Sequence, residues 1–280
     1  MRAGSGHSHA PVEGLTPFGA GVTLEHIMNN TAKIAELRHL VARYGLLPDR
    51  ARVSLGHEAA DTVLGGGLAP GALHEVFAAG WSAGGFAVLL ALLSSRACCG
   101  GKGGPLFWVR PDYEAMEYGA LSPNGLLELG GDPSLLFVVR TRNATDALSA
   151  ANDILACPHV GALLLEVEDN PRCLDLVASR RLAFAAQQSG VTAVMLRCGA
   201  QAQASAALTR WQVASAPSHQ DDDDWGAPVF DAQLVRHRLG GLGQFLMYWN
   251  PEHACFDTAH PGAVAAAPFD RPADPQERVA

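Results

Sequence analysis

Gly80 and Gly85, in the stretch AAGWSAGGFAVLLA, have four residues between them and lead directly into an apolar run. That is the spacing of a loop whose backbone N–H groups cradle phosphate at the start of a helix. Such a loop continues with a Lys, which reaches the outer phosphates, and a Ser or Thr, whose hydroxyl holds magnesium. Phe86 and Ala87 occupy those two positions. Neither side chain donates to phosphate or ligates a cation. With each charge-assisted contact contributing roughly 1.5–3 kcal/mol, losing both removes on the order of several kcal/mol of nucleotide binding. Two readings follow. In one, Gly80, Ser82, Gly84 and Gly85 form a degenerate nucleotide loop: N–H groups from Trp81 to Gly85 make an anion nest, the Ser82 hydroxyl stands beside them, and Lys102 of CGGKGG reaches in from another loop. In the other, the glycines serve only the tight geometry joining a strand to a helix.

The acidic groups that would complete phosphoryl transfer are poorly placed. The strand PLFWVR runs into Arg110, Pro111 and Asp112, and neither Asp112 nor Glu114 falls in register for a water-activating acid. On VGALLLEVEDN, Glu166 or Glu168 is the candidate for a magnesium-side carboxylate, with little left for it to hold. Metal chemistry finds no better footing, since the 6 cysteines show no C-x-x-C spacing. They read as reduced thiols in a chain too long to need a disulfide framework. His7 and His9 lie in a polar, glycine-rich stretch and read as solvated.

The elements that must position these residues follow from patterning. Leu73 to Phe77 reads as a buried strand feeding the glycine loop, and Phe86 to Arg96 as the helix leaving it. Apolar runs then recur at 105–109, 134–139, 160–167 and 191–197, separated by segments long enough for crossover helices. Near-continuous apolar strands are expected where helices cover both faces of a sheet, so the fold class is α/β with a mainly parallel sheet. Asn143, and Asn170 or Pro171, read as helix starts, and Gly190 as a stop. Beyond Gly199 come shorter alternating pieces, RWQVAS, FDAQLVRHR, QFLMYW and ACFDT, which read as an antiparallel extension at one edge. Four segments result: a flexible arm at 1–22, an amphipathic helix within 23–48, a core domain at 49–258 and a C-terminal tail at 259–280. The helix carries Ile34, Leu37, Val41 and Tyr44 on one stripe, which must pack on its own domain or dock on a partner. In the tail, Phe269 and Arg271 sit among prolines as a short docking motif.

Bulk properties narrow the function classes. A hydrophobic fraction of 48% supports a sizeable core. Lys plus Arg number 20 and Asp plus Glu 28, a net charge of −8, which disfavours direct tight binding to nucleic acid. The run Asp221 to Asp224 adds a local acidic patch, read as solubilising. No apolar run approaches the roughly 18 residues of a membrane span, and MRAGSGHSHAPVEG lacks the apolar stretch of a secretory signal. Both observations point to the cytoplasm.

DTVLGGGLAPGALHEVFAAGWSAGG is similar to the stretch of RecA recombinases in which an Asp, a Leu and a glycine cluster precede a strand and its phosphate loop. ASAALTRWQVAS resembles the segment where RecA chains return to the sheet after their second DNA-binding loop. More closely, the HEVF and FWV strands, the LTRW motif and the DRP at Asp270 to Pro272 resemble the ImuA family of RecA-like, SulA-related accessory proteins of bacterial mutagenesis cassettes. The resemblance spans roughly 25–215 and implies a RecA-like core. It also implies a non-catalytic adaptor in SOS-induced, error-prone translesion synthesis, with no cofactor. The implied partners are an ImuB-type inactive Y-family polymerase, an error-prone C-family DNA polymerase, and RecA or a second copy. RecA's catalytic residues do not transfer, and EDNPRCLD and CGAQAQAS are too short and too poor in cations to line a DNA channel. Two alternatives stand beside this reading: a diverged ATPase acting on repair complexes, and a SulA-like inhibitor of cell division.

Overall fold

The computed structural model describes residues 50–98, 103–112, 121–218 and 226–258, all within the unit that begins at Leu47. In chain order the elements are α1 (Glu58–Leu64), β1 (Leu73–Ala78), α2 (Trp81–Ala97), β2 (Leu106–Pro111), α3 (Pro123–Glu128), a single 3-10 turn (Pro133–Leu135) and β3 (Leu136–Thr141). They continue with α4 (Ala144–Leu155), β4 (Ala162–Glu166), α5 (Leu176–Ser189), β5 (Thr192–Cys198), β6 (Thr209–Ala216), β7 (Val229–His237), β8 (Gly243–Asn250) and β9 (Cys255–Thr258). The strands form one sheet of nine, ordered β3-β2-β4-β5-β1-β6-β7-β8-β9. Every neighbouring pair from β3 to β6 is parallel, and every pair from β6 to β9 is antiparallel.

The apolar strands behave as their composition requires. β1, β4 and β5 are buried along their whole length, because helices lie over both faces there. On one face α2 packs Phe86, Leu89 and Leu90 against Val76, Leu164, Leu196 and Trp211. On the other, α4 and α5 bring Leu148, Leu155 and Leu182 against Leu163, Leu165 and Met195. Asn143 caps α4 by accepting from the Asp146 N–H at 2.9 Å. Gly190 closes α5 in the left-handed conformation, with φ 84°.

Three expectations are corrected. RWQVAS belongs only in part to the antiparallel extension: β6 pairs parallel with β1 on one side and antiparallel with β7 on the other, so the reversal begins at β7. Its alternation reports burial on one face, and one-sided burial carries no information about strand direction. The helix after the glycine loop starts at Trp81 rather than Phe86. Finally, α5 is capped by Asp175, whose carboxylate accepts from the Ala178 N–H at 2.7 Å, and Asn170 and Pro171 lie in the preceding loop. The short helix α1 carries no expectation from the sequence; His57 caps it through Nδ1 and left-handed Gly65 ends it. Cys157, Cys173 and Cys255 are free thiols. Among the described residues no helix is long and apolar enough to cross a membrane.

Candidate functional site

The strand-to-helix joint after β1 consists of two residues, Ala79 and Gly80. The Ala79 N–H donates to the Val213 carbonyl at 2.9 Å, fastening the joint to β6. Gly80 is extended, with φ 175° and ψ 175°, and its carbonyl accepts from the N–H groups of Ala83 at 3.1 Å and Gly84 at 3.2 Å. Those two donors, counted on for an anion nest, are therefore spent on the first turn of α2. Gly84 and Gly85 lie inside the helix, against the sheet. A Cβ at Gly84 would sit 3.3 Å from Leu196 Cδ2, and one at Gly85 would sit 3.6 Å from the Phe230 ring. Close approach of helix to strand accounts for glycine at 84, whereas the 3.6 Å at Gly85 is an ordinary contact that would admit a Cβ. Ser82 is exposed, and its hydroxyl accepts from the Ser215 hydroxyl at 2.9 Å.

Phe86, where a phosphate loop places its Lys, is wholly buried. Its ring centroid lies 5.6 Å from that of Trp211, 5.6 Å from Phe230 and 5.2 Å from Phe256. Trp249 adds to the cluster, 5.1 Å from Phe256. Such edge-to-face and tilted packing is the preferred arrangement of aromatic quadrupoles. Ala87 is buried beside it. The position thus serves to lock α2 onto the strands from β6 to β9.

Glu166, at the end of β4, is fully buried and committed. Its Oε2 lies 3.0 Å from Arg110 Nε on β2 and accepts from Trp108 Nε1 at 3.0 Å. A carboxylate balanced in this way has its charge answered inside the protein. Asp112 pairs instead with Arg140 on the surface, at 2.7 Å. Sequence reading singled out Glu166 but not Arg110. The available signal was an arginine and a glutamate at the ends of two strands that neighbour each other in the sheet.

The two segments placed where DNA-handling loops are expected are each pinned by an arginine. Arg197, at the end of β5, donates through Nη2 to the Asp169 carbonyl at 2.6 Å and to Asn170 Oδ1 at 2.8 Å, holding the segment after β4. Burial is the main influence lowering the Arg197 pKa, opposed by Glu75. Arg210 pairs with buried Glu75 at 2.8 Å and reaches the Gln203 carbonyl at 2.6 Å, holding the segment before β6. The Ser205 hydroxyl donates to the same carboxylate at 2.9 Å. Both guanidinium groups flank Phe77, at 5.4 Å and 5.2 Å from its ring centre.

HEVF and LTRW are therefore one structural unit. In register, His74 faces Thr209, Glu75 faces Arg210 and Val76 faces Trp211. His74 Nδ1 and Thr209 Oγ1 are 2.7 Å apart, and His74 Nε2 lies 2.9 Å from the Ala69 carbonyl. Since a carbonyl only accepts, Nε2 carries the proton and the Thr209 hydroxyl donates to Nδ1. Burial above all holds this imidazole neutral and pulls its pKa down to about 4. Beside this unit a cleft of about 360 Å³ opens, lined by Phe77, Ala79, Ala200, Gln212, Gln233, Asp231 and Gln244 among others. It offers amides and one carboxylate and no cation, the wrong complement for a triphosphate.

No family model matches the chain. It is 34% identical over 197 residues to the protein named ImuA of Caulobacter vibrioides, in strain NA1000/CB15N and in strain ATCC 19089/CIP 103742/CB 15. Those matches cover 65% of this chain and 77% of the relatives. The chain belongs to the ImuA family. A solved structure of the RadB recombinase superposes with a TM-score of 0.52 over 74% of this chain and all of that one, at 14% identity. The core of this ImuA-family chain is accordingly RecA-like. Of the residues singled out from sequence, Gly80, Ser82, Gly84 and Gly85 fall together at the start of α2, whereas Ile34, Leu37, Val41, Tyr44, Phe269, Arg271, Lys102 and Asp221 to Asp224 lie outside the described residues.

Proposed function

We propose that this ImuA-family protein is a non-catalytic RecA-like adaptor in SOS-induced, error-prone translesion synthesis. Its work is to hold an ImuB-type inactive Y-family polymerase and an error-prone C-family polymerase together, with RecA or a second copy as a further contact. The observation that carries this reading is Phe86. A buried aromatic at the lysine position, knitted into a cluster with Trp211, Phe230 and Phe256, gives the fold its strength where a phosphoryl-transfer enzyme would spend stability on a charged, open loop. Pairing of Glu166 with Arg110, and pinning of the two loops by Arg197 and Arg210, support it. What such a molecule has to offer is surface, so function is argued from surfaces rather than from the ancestral chemistry of the fold. The stripe Ile34, Leu37, Val41, Tyr44 and the motif around Phe269 and Arg271 are the proposed contact elements.

Two measurements test the proposal. Isothermal titration of the full chain with ATP and magnesium is expected to give no binding heat at micromolar to millimolar nucleotide; saturable, magnesium-dependent heat overturns the non-catalytic reading. Affinity purification of the tagged chain from DNA-damaged cells is expected to recover both polymerase types, and recovery of neither removes the adaptor role.

A further inference from the structure

Helix α5 turns Leu182, Ala186 and Ser179 inward. Its opposite face carries Val177, Arg181, Phe184 and Gln188, spaced four, three and four residues apart, which places them on one stripe. Val177 is 52% exposed and Phe184 62% exposed, the largest exposure of any big apolar side chain among the described residues. Arg180 flanks the stripe, and Arg172 precedes the helix. All three arginines are exposed, and none makes an ion pair with another described residue. A cationic, aromatic-bearing helix face of this kind fits an acidic segment that also carries a large apolar side chain.

The chain itself contains such a segment. Asp221 to Asp224, followed at once by Trp225, is its longest run of like charge. It is tethered between exposed Ser218 and Gly226, in the connection from β6 to β7. We infer that α5 is a docking face for the Asp221–Trp225 segment of a second copy of this chain, the carboxylates meeting Arg172, Arg180 and Arg181 while Trp225 covers Val177 and Phe184. Because each copy carries both halves, the exchange closes as a twofold dimer with two equivalent contacts. This pairing does not depend on the function proposed above.

Sedimentation velocity of the full chain across about two decades of concentration tests it, since a second-copy contact obeys mass action. The wild type is expected to dimerise, with a dissociation constant that rises at least about tenfold between low and high salt, as exposed charge pairs are screened. Arg180→Glu with Arg181→Glu, Phe184→Ala, and the replacement of Asp221 to Asp224 by lysines should each leave a monomer. Combining the arginine reversal with the aspartate reversal should restore the dimer. All the α5 positions changed are exposed, so thermal melts of those variants should match the wild type at concentrations where it is dissociated, and exclude unfolding as the cause. A wild type monomeric throughout the range, a dimer indifferent to these substitutions, or reversals that fail to rescue one another would each overturn the inference.

Discussion

At Phe86 a single substitution of type separates two designs. A lysine there must keep its ammonium solvated or paired, and the buried ring cluster offers it neither. Phe86→Lys is therefore expected to leave ATP binding absent in a calorimetric titration and to unfold at markedly lower urea than the wild type. Phe86→Ala, which opens a cavity between Trp211, Phe230 and Phe256, should cost about 3–5 kcal/mol by the same denaturation measurement. The Arg110–Glu166 pair makes a different prediction. With side chains 5% and 1% exposed, neither charge is answered by solvent once its partner is gone. Glu166→Ala should cost roughly 3–5 kcal/mol, while replacing both residues by apolar ones of similar size should recover much of that loss. A double variant as unstable as the single would show that the pair does something beyond mutual neutralisation. Sequence exposed the position of each of these residues, since a phenylalanine at a lysine site and a glutamate ending an apolar strand are visible by eye. It did not expose their partners. Arg210 and Glu75 are separated by 135 residues, and only the order of strands brings them together.

Among the elements, the β1–β6 pairing explains why HEVF and LTRW occur in one chain, and it sets a pH dependence. His74 is neutral when folded, with a pKa near 4, against an ordinary value of 6.5. As pH falls below about 6.5 the unfolded chain takes up a proton at this position first. Stability should therefore drop between pH 6.5 and 4 and gain no further slope from His74 below that. The full difference is about 3 kcal/mol. Urea unfolding across this range, compared between the wild type and His74→Gln, isolates the contribution; equal slopes would mean that His74 is solvated or charged in the folded protein. Element existence was legible for the apolar strands and for the helices with Asn143 and Gly190 at their ends. Three features were not. The start of α2 was hidden because Ser82, Ala83, Gly84 and Gly85 read as loop, yet helix-to-sheet contact favours small residues at such a crossing. The direction of β6 was hidden because alternation encodes a face, not an orientation. The cap of α5 was misplaced because EDNPRCLD holds several residues able to cap, and only the hydrogen bond to Ala178 selects Asp175.

On the scale of the whole molecule, the antiparallel strands are no appendage. Phe230, Phe245, Met247, Trp249 and Phe256 from β7, β8 and β9 share one continuous core with α2 and with Val76, Leu196 and Trp211 of the parallel strands. The Phe86 cluster sits at that junction, drawing its rings from α2, β6, β7 and β9. A fold whose central helix is clamped in this way is held firmly at its strand-to-helix joint, as the proposed adaptor role asks of a fixed surface. It also predicts that the parallel half cannot stand alone. A chain ending at Ser218 loses β7, β8 and β9, strips the outer rings from Phe86, and uncovers the apolar face of β6 that contains Trp211 and Val213. It should lose the cooperative thermal transition of the full chain, bind a hydrophobic dye, and aggregate at concentrations where the full chain stays dispersed. Were that shortened chain to melt cooperatively within a few degrees of the full one, the clamp would be an accessory to the fold, and Phe86 would need another explanation.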